Sequence, residues 1–158
     1  MTPKRQPAHD ATESPDDIRS PEETVTHFLN AMQEGDVEAV IALAADEIVY
    51  TNVSLPTIRG KDRFGRAARA YYRHHFGFQV VVHRIAGSGS SVLTERTDAL
   101  ILGPFRMQFW VCGVFEVDNG QVTLWRDYFD WRNTMLATLR GLVGVIIPSF
   151  RAKFSDTC

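Results

Sequence analysis

The second half of the chain is a run of four β-rich segments separated by three short turn sequences. The segments span Phe78–Ile85, Val92–Leu102, Phe105–Val117 and Gln121–Trp131. The connections have the composition of turns, and the last of them, Asp-Asn-Gly at 118–120, is a strong hairpin signal. Strands joined by such short turns pair with their neighbours in sequence. The chain is therefore predicted to form an antiparallel meander in this half.

The first half of the chain predicts helices instead. Residues 20–23, Ser-Pro-Glu-Glu, have the features of a helix start, and apolar residues recur at helical spacing through Val25–Met32. A short helix from Asp36, a strand over Ile48–Leu55 and a helix over 60–75 follow. Helices first and a meander afterwards predict an α+β domain. A curved sheet wrapped around a helix would give a cone with an internal pocket.

The two ends of the chain differ in composition. Residues 1–20 are polar and acidic with three prolines, which predicts a disordered tail, and residues 21–158 are expected to form a single domain. A final apolar helix is predicted from about residue 133, over Asn133–Phe150. It is apolar over most of its circumference, so we expect it to close the open end of the cone or to lie at a dimer interface. Contact with a membrane surface is an alternative that we favour less.

Charge and motifs exclude several classes of function. Lysine and arginine number 17 against 19 acidic residues, a net charge of −2, and no long basic run predicts nucleic-acid binding. Neither histidine nor cysteine spacing predicts a metal site, and no glycine-rich phosphate motif predicts a nucleotide, so we expect no cofactor. Cys112 and Cys158 make a poor disulfide pair and no signal peptide is recognisable. A cytoplasmic location is therefore expected.

The last strand places a carboxylate among aromatic residues. Alternate residues of a strand point to opposite faces, so Asp127 shares its face with Trp125, Phe129 and Trp131, while Arg126 points the other way. A lone carboxylate in such surroundings is costly unless it is paired or protonated. This pattern predicts that Asp127 has a buried partner.

Arg96 is the predicted partner because its planar guanidinium can bridge two carboxylates at once. Arg96 and Asp98 lie on the same face of the segment Val92–Leu102, although both faces of that segment carry apolar residues, so its own pattern does not tell which one is inside. One arginine cannot fully neutralise two aspartates. One aspartate is then expected to be ionised and the other to have a raised pKa, an asymmetry that acid–base catalysis requires.

Three motifs together resemble the limonene-1,2-epoxide hydrolase family, over roughly residues 22–131, and most closely its actinobacterial members that take bulky lipophilic epoxides. The motifs are Tyr50-Thr51-Asn52, Thr94-Glu95-Arg96-Thr97-Asp98 and Trp125-Arg126-Asp127-Tyr128-Phe129-Asp130. The resemblance implies a cone-shaped, nuclear transport factor 2-like fold, with a curved mixed β-sheet, N-terminal helices and a C-terminal helix. It also implies a homodimer, and a cofactor-independent epoxide hydrolase that serves detoxification or metabolism.

The resemblance further implies a role for each matched residue. Asp127 would be the general base on water, and Tyr50 and Asn52 would hold that water. Asp98 would be the general acid on the epoxide oxygen, and Arg96 would bridge the two aspartates. The product would be a vicinal diol. The chain departs from the family after Trp131, where its tail is longer and more apolar, so limonene oxide itself is not expected to be the natural substrate.

Two other functions stay open at this level. Cone folds of this type host several chemistries, so a steroid or polyketide isomerase, dehydratase or cyclase is one alternative. A non-enzymatic lipid-binding module is the other, although a carrier gains nothing from buried charge. The arginines at 63, 66, 69 and 73 recur at helical spacing and are interpreted as a solvated helix face.

Overall fold

The structure, a computed structural model, describes residues 19–74 and 76–150. Its helices are α1 (Pro21–Glu34), α2 (Val37–Ala42), α3 (Lys61–Arg73) and α4 (Trp131–Ile146), followed by a 3-10 turn at Pro148–Phe150. Its strands are β1 (Ala44–Asn52), β2 (Ile58–Arg59), β3 (Phe76–Ser88), β4 (Ser91–Leu102), β5 (Phe105–Asp118) and β6 (Gln121–Tyr128). Most of the predicted N-terminal tail, residues 1–18, and residues 151–158 lie outside the described residues.

One mixed sheet contains all six strands, in the order β2-β1-β6-β5-β4-β3. The meander predicted from the turn sequences is confirmed, because β3 to β6 pair antiparallel with their neighbours in sequence. The first strand, β1, pairs in parallel with the last, β6. The α+β class and the mixed sheet agree with the prediction, and the parallel pairing brings the two ends of the domain together.

Local sequence explains where several elements begin and end. Ser20 and Glu23 form a capping box at the start of α1, each side chain accepting a hydrogen bond from the other residue's backbone N–H. The β5–β6 turn has positive φ at Asn119 (48°) and Gly120 (73°), the geometry of the tight hairpin that the sequence predicts.

Several predicted boundaries are wrong. The final helix, predicted over Asn133–Phe150, runs over Trp131–Ile146. The first strand was expected over Ile48–Leu55 but runs over Ala44–Asn52. The last strand was expected to reach Trp131, yet β6 ends at Tyr128 and Trp131 begins α4. The reason for this last error is a helix cap, since the Asp130 side chain accepts a hydrogen bond from the Arg132 backbone N–H at 2.9 Å. Trp131 therefore does not continue the strand face of Asp127.

The hydrophobic core lies between α1 and the inner face of the sheet. Val25, Phe28 and Leu29 of α1 are at most 1% exposed and belong to the same cluster as Phe115 and Trp125 of the sheet. The aromatic ring of Phe28 makes edge contacts with both Phe115 and Trp125. This core holds the inner face of the sheet in place, and the candidate site lies on that face. Within the described part of the chain, no helix is long and apolar enough to cross a membrane.

Candidate active site

The sheet register turns one face of β4 toward the interior. Thr94, Arg96 and Asp98 are each at most 4% exposed, and Arg96 is completely buried. On the neighbouring strands, Gly113 of β5 pairs with Thr94 on one side and with Asp127 of β6 on the other. Because paired residues in a sheet share a face, this register places Asp127 on the same inner face as Arg96 and Asp98.

Arg96 connects the two aspartates. Its Nε donates to both carboxylate oxygens of Asp98 at 3.0 and 3.2 Å, and its Nη2 donates to Asp127 Oδ2 at 2.6 Å. Its Nη1 donates to Thr94 Oγ1 at 3.0 Å. Each of the three guanidinium nitrogens therefore has a partner, as a fully buried cation requires.

Two residues contribute bonds that sequence reasoning did not assign. Thr94 supplies an acceptor to Arg96, and Trp125 donates its indole N–H to Asp127 Oδ1 at 2.8 Å. Both stand two residues before a predicted site residue on the same strand face, a spacing that would have identified them as neighbours. The alternation of residues along the strand indicates Trp125 only as part of the apolar surroundings of Asp127.

Gly113 provides the room for this network. A Cβ atom at residue 113 would overlap the guanidinium of Arg96 and would lie 2.7 Å from Thr94 Oγ1 and 3.1 Å from Asp127 Oδ1. Any larger residue would push the arginine out of its position between the carboxylates. The glycine in an otherwise apolar strand is thus required by the close approach of buried polar groups.

The parallel pairing of β1 with β6 brings in the remaining two predicted residues. Tyr50 is opposite Trp125 and Asn52 is opposite Asp127 in the register. Asn52 Nδ2 donates to Tyr50 Oη at 2.7 Å. This bond leaves the Asn52 carbonyl oxygen and the Tyr50 hydroxyl proton available to a further ligand.

Burial controls the ionisation of the acidic groups. It raises the pKa of Asp98 to about 6, with a smaller contribution in the same direction from the negative charge of Asp127, and Arg96 opposes the shift. Burial also raises the pKa of Asp127, against the hydrogen bonds from Arg96 and Trp125. The pKa of Tyr50 is raised by burial and by the charge of Asp127, so its hydroxyl keeps its proton.

The network faces a cavity of about 430 Å³. Tyr50, Asn52, Asp98 and Asp127 line it together with a predominantly apolar wall. The wall is formed by aromatic and aliphatic side chains of the sheet, of all four helices and of the segments that follow β1 and β6. They are Met32, Val40, Leu55, Phe64, Ala67, Ala68, Tyr71, Tyr72, Phe78, Leu100, Met107, Phe109, Trp125, Phe129 and Trp131. The arrangement offers two carboxyl groups and a tyrosine–asparagine pair to an apolar ligand.

The structure thus brings all five predicted residues to one site: Tyr50, Asn52 and the two aspartates line the cavity, and Arg96 connects the aspartates. Other residues of the same motifs have structural roles. Asp130 caps α4, and Glu95 forms an ion pair with Arg84 on the opposite face of β4. In the basic series of α3, Arg69 pairs with Glu38 at an exposed position, in agreement with a solvated helix face.

Comparisons with known sequences indicate one family. The family model of the limonene-1,2-epoxide hydrolase catalytic domain matches residues 19–140. The epoxide hydrolase EphG of Mycobacterium tuberculosis is 52% identical over 128 residues, which cover 81% of this chain and 85% of that protein.

Solved structures agree. An M. tuberculosis LEH-like epoxide hydrolase has a TM-score of 0.81 at 50% identity, covering 85% of this chain and 95% of that chain. An NTF2-like protein of unknown function from Burkholderia pseudomallei has a TM-score of 0.65 at 18% identity, over 76% and 98% of the two chains. The second likeness concerns the fold alone, and the fold is the nuclear transport factor 2-like one.

Proposed function

The chain belongs to the limonene-1,2-epoxide hydrolase family and is an epoxide hydrolase, and we propose that it adds water, activated by Asp127, to a lipophilic epoxide in a single step. The product is a vicinal diol, and no metal or organic cofactor takes part. The observation that carries the proposal is the buried guanidinium of Arg96 between two carboxyl groups, beside an apolar cavity.

One proton shared by the two aspartates provides both a base and an acid. The guanidinium carries one positive charge, so the reactive state is expected to be the one in which one of the two buried carboxyl groups holds a proton. Asp127 receives the 2.6 Å bond from Arg96 and a second bond from the Trp125 indole, which favours its ionised form. Asp98 receives only the longer, bifurcated bond from Arg96 Nε. We therefore place the proton on Asp98.

The reaction follows from this assignment. Water bound by Asn52 and Tyr50 loses a proton to Asp127 as its oxygen attacks a carbon of the epoxide. The carbon–oxygen bond of the ring breaks, and Asp98 gives its proton to the departing oxygen. Transfer of the proton from Asp127 back to Asp98 restores the site. Water is a weak nucleophile, and the epoxide oxygen is a poor leaving group. Holding the water in place and transferring both protons in the same step overcomes these difficulties without a covalent intermediate.

The cavity supports a lipophilic substrate. The charged groups among its lining residues in the described chain are the two aspartates, and the remaining surface is dominated by aromatic and aliphatic side chains. An apolar epoxide loses little hydration on entering such a space. A polar epoxide would have polar groups without hydrogen-bond partners there.

A single turnover in heavy-oxygen water tests the mechanism. The label is expected in the diol, because the attacking oxygen comes from water. Label found in an aspartate of the protein after one turnover would show a covalent ester intermediate and would exclude direct attack by water. The experiment also tests the two alternative functions, since an isomerase or a carrier of lipids would form no labelled diol.

We further propose that the protein is a homodimer. The outer face of the sheet supports this, since Leu93, Trp110 and Tyr128 are each more than 40% exposed there. Light scattering on the purified protein would give the mass of the particle, and the mass of a single chain would contradict the proposal. A cytoplasmic location and a role in detoxification stay predictions.

A further inference from the structure

The C-terminal helix α4 packs with its small residues and turns its large apolar residues outward. The inward side carries Thr134, Ala137, Thr138, Gly141 and Gly144. At Gly141 an added Cβ would lie 2.7 Å from the backbone oxygen of Arg106, so the helix approaches β5 too closely for any larger residue. Surface helices ordinarily place their apolar side against the core. In α4 the large apolar side chains face away from the core instead.

The outward side of α4 is a continuous apolar surface, which we call the α4 face. It consists of Met135, Leu136, Leu139, Leu142 and Ile146, whose side chains are 53% to 84% exposed. Helix periodicity brings these residues to one side, because they recur every three or four positions. A group of exposed large apolar side chains indicates a surface that a partner protein or a membrane covers.

The α4 face continues into the rim of the cavity. Trp131, the first residue of α4, is 47% exposed and also lines the cavity, as does Leu55, which is 45% exposed. Apolar side chains therefore extend from the outer surface of the helix into the space beside Asp98 and Asp127. A ligand that leaves an apolar phase in contact with α4 would meet apolar surface along this path.

The charged residues near the α4 face indicate what kind of partner covers it. The stretch from Trp131 to Phe150 has no acidic residue, and its charged residues are Arg132 and Arg140, both exposed. The exposed Asp130 directly precedes the helix, where its side chain accepts a hydrogen bond from the Arg132 backbone N–H. An apolar helix face whose own charged side chains are both cations fits an anionic lipid surface. A two-fold contact of α4 with a second copy of α4 would instead bring four arginines together without an acidic partner from either helix.

We propose that the α4 face docks on an anionic lipid bilayer, with the helix lying along the membrane surface and its apolar side chains among the lipids. Docking does not depend on the chemistry of the active site. If the proposed function holds as well, a lipophilic epoxide dissolved in the bilayer would pass along the apolar rim at Trp131 and Leu55 into the cavity.

Sedimentation with vesicles tests the proposal. The full chain is expected to bind vesicles of equimolar phosphatidylcholine and phosphatidylglycerol. The double variant Leu139→Glu, Leu142→Glu should bind at least about tenfold more weakly, because two apolar anchors become anionic. Val82→Glu, at a 39% exposed position on the edge strand β3, is the matched control and should bind like the unaltered chain. Absence of binding by the unaltered chain, or equal binding by the α4 variant, would overturn the proposal.

Tryptophan fluorescence locates the contact. Of the three tryptophans, Trp131 lies beside the α4 face, Trp110 lies on the outer face of the sheet and Trp125 is buried. Vesicles containing brominated phosphatidylcholine together with phosphatidylglycerol should quench the emission of the unaltered chain. Trp131→Phe should abolish most of that quenching and Trp110→Phe should keep it. The reverse result would place the bilayer on the sheet and contradict the proposal.

Two further measurements separate this inference from its rivals. Light scattering of the Leu139→Glu, Leu142→Glu variant should show an unchanged particle mass, and a fall from dimer to monomer would mean that a second copy covers α4. Asp127→Asn should bind vesicles like the unaltered chain even though its diol formation falls by at least about a hundredfold. Because turnover of a water-soluble epoxide should survive in the α4 variant, failure of docking and failure of the proposed function remain distinguishable.

Discussion

Glu95 and Arg96 are consecutive residues of β4, yet their side chains lie in opposite environments. Glu95 pairs with Arg84 on the outer face, where the two side chains are 30% and 76% exposed, and Arg96 pairs with two aspartates on the inner face, where it has no exposed surface. Both faces therefore contain arginine–carboxylate pairs. They differ in the amount of water around the charges.

That difference reverses the direction of the pKa shift. The hydrogen bond from Arg84 lowers the pKa of Glu95, because it outweighs the opposing loss of hydration there. Burial raises the pKa of Asp98 to about 6 despite its bond to Arg96. Proximity to an arginine thus does not decide whether a carboxyl group is ionised. The loss of hydration outweighs the attraction on the inner face and leaves a group that can donate a proton near neutral pH.

The largest expected effect is on catalysis at the inner face. Asp127→Asn removes the proposed base while keeping the shape of the side chain, so diol formation should fall by about a hundred- to ten-thousand-fold. Glu95→Gln, the equivalent change on the outer face, should leave the rate unchanged. Steady-state assays with a lipophilic epoxide, together with circular dichroism to verify folding, would measure both. A similar loss in the two variants would show that the face of the sheet on which each carboxyl group lies is not what distinguishes them.

Removal of the arginines should separate the two faces in stability. Arg96→Ala leaves two buried carboxyl groups without their cation, and the free energy of unfolding should fall by about 3–5 kcal/mol. Arg84→Ala breaks an exposed pair and should leave the stability unchanged within experimental error. Urea unfolding followed by fluorescence provides the comparison. Equal stabilities of the two variants would mean that the inner pair is hydrated in solution.

The pH dependence of stability should have opposite signs for the two faces. The folded-state pKa of Asp98 is about 6, above its ordinary value of 3.8, so the folded chain binds more protons than the unfolded chain between these values. The free energy of unfolding should therefore fall as pH rises through this window, by up to about 3 kcal/mol from this group. Glu95 has a lowered pKa, so its contribution is present above its ordinary pKa and is lost as pH falls.

Urea unfolding at a series of pH values would show this contrast. Asp98→Asn should flatten the fall in stability between pH 4 and 6, because an amide does not titrate, whereas Glu95→Gln should leave that fall in place. If the Asp98→Asn variant kept the full slope, the titrating group would have to be another one.

The smallest effect is expected from single hydroxyl groups. Thr94→Val removes the acceptor of Arg96 Nη1 and leaves a buried charged donor unpaired, which should lower the free energy of unfolding by about 1–3 kcal/mol. Thr97, on the outer face, bonds to His83 at 2.8 Å, and Thr97→Val should cost less because water can replace the lost partner. Thermal unfolding of the two variants measures the difference, and a larger loss for Thr97→Val would reverse the comparison.

Much of the site was predictable because its elements have strong local patterns. The turn sequences predict the meander, and three aromatic residues at alternate positions indicate the environment of Asp127. The same reasoning failed at Trp131, because β6 ends three residues earlier, at Tyr128, and Asp130 caps a helix that begins at Trp131. It also missed the roles of Thr94 and Trp125, since a hydrogen bond depends on distances between strands that alternation does not contain.

For β4 the sequence left the inner face undecided. Leu93 and Val92 are both apolar, but the first is 49% exposed and the second is completely buried. The choice was made by the register with β5, in which Gly113 opens the space that Arg96 occupies. The C-terminal helix is similar, since its apolar residues cover most of its circumference and only the close approach to β5 selects the small residues as the inward side.

By itself the sequence determined the strands, their turns and the residue types capable of acid–base chemistry, because these depend on neighbours within a few positions. The tertiary structure decided that Asn52 stands opposite Asp127 and that Arg96 reaches both aspartates. Asn52 and Arg96 are each far from Asp127 in the sequence, and strand pairing brings them next to it. The hydration that each charge loses, which sets its pKa, exists only once the sheet and the helices have closed around it.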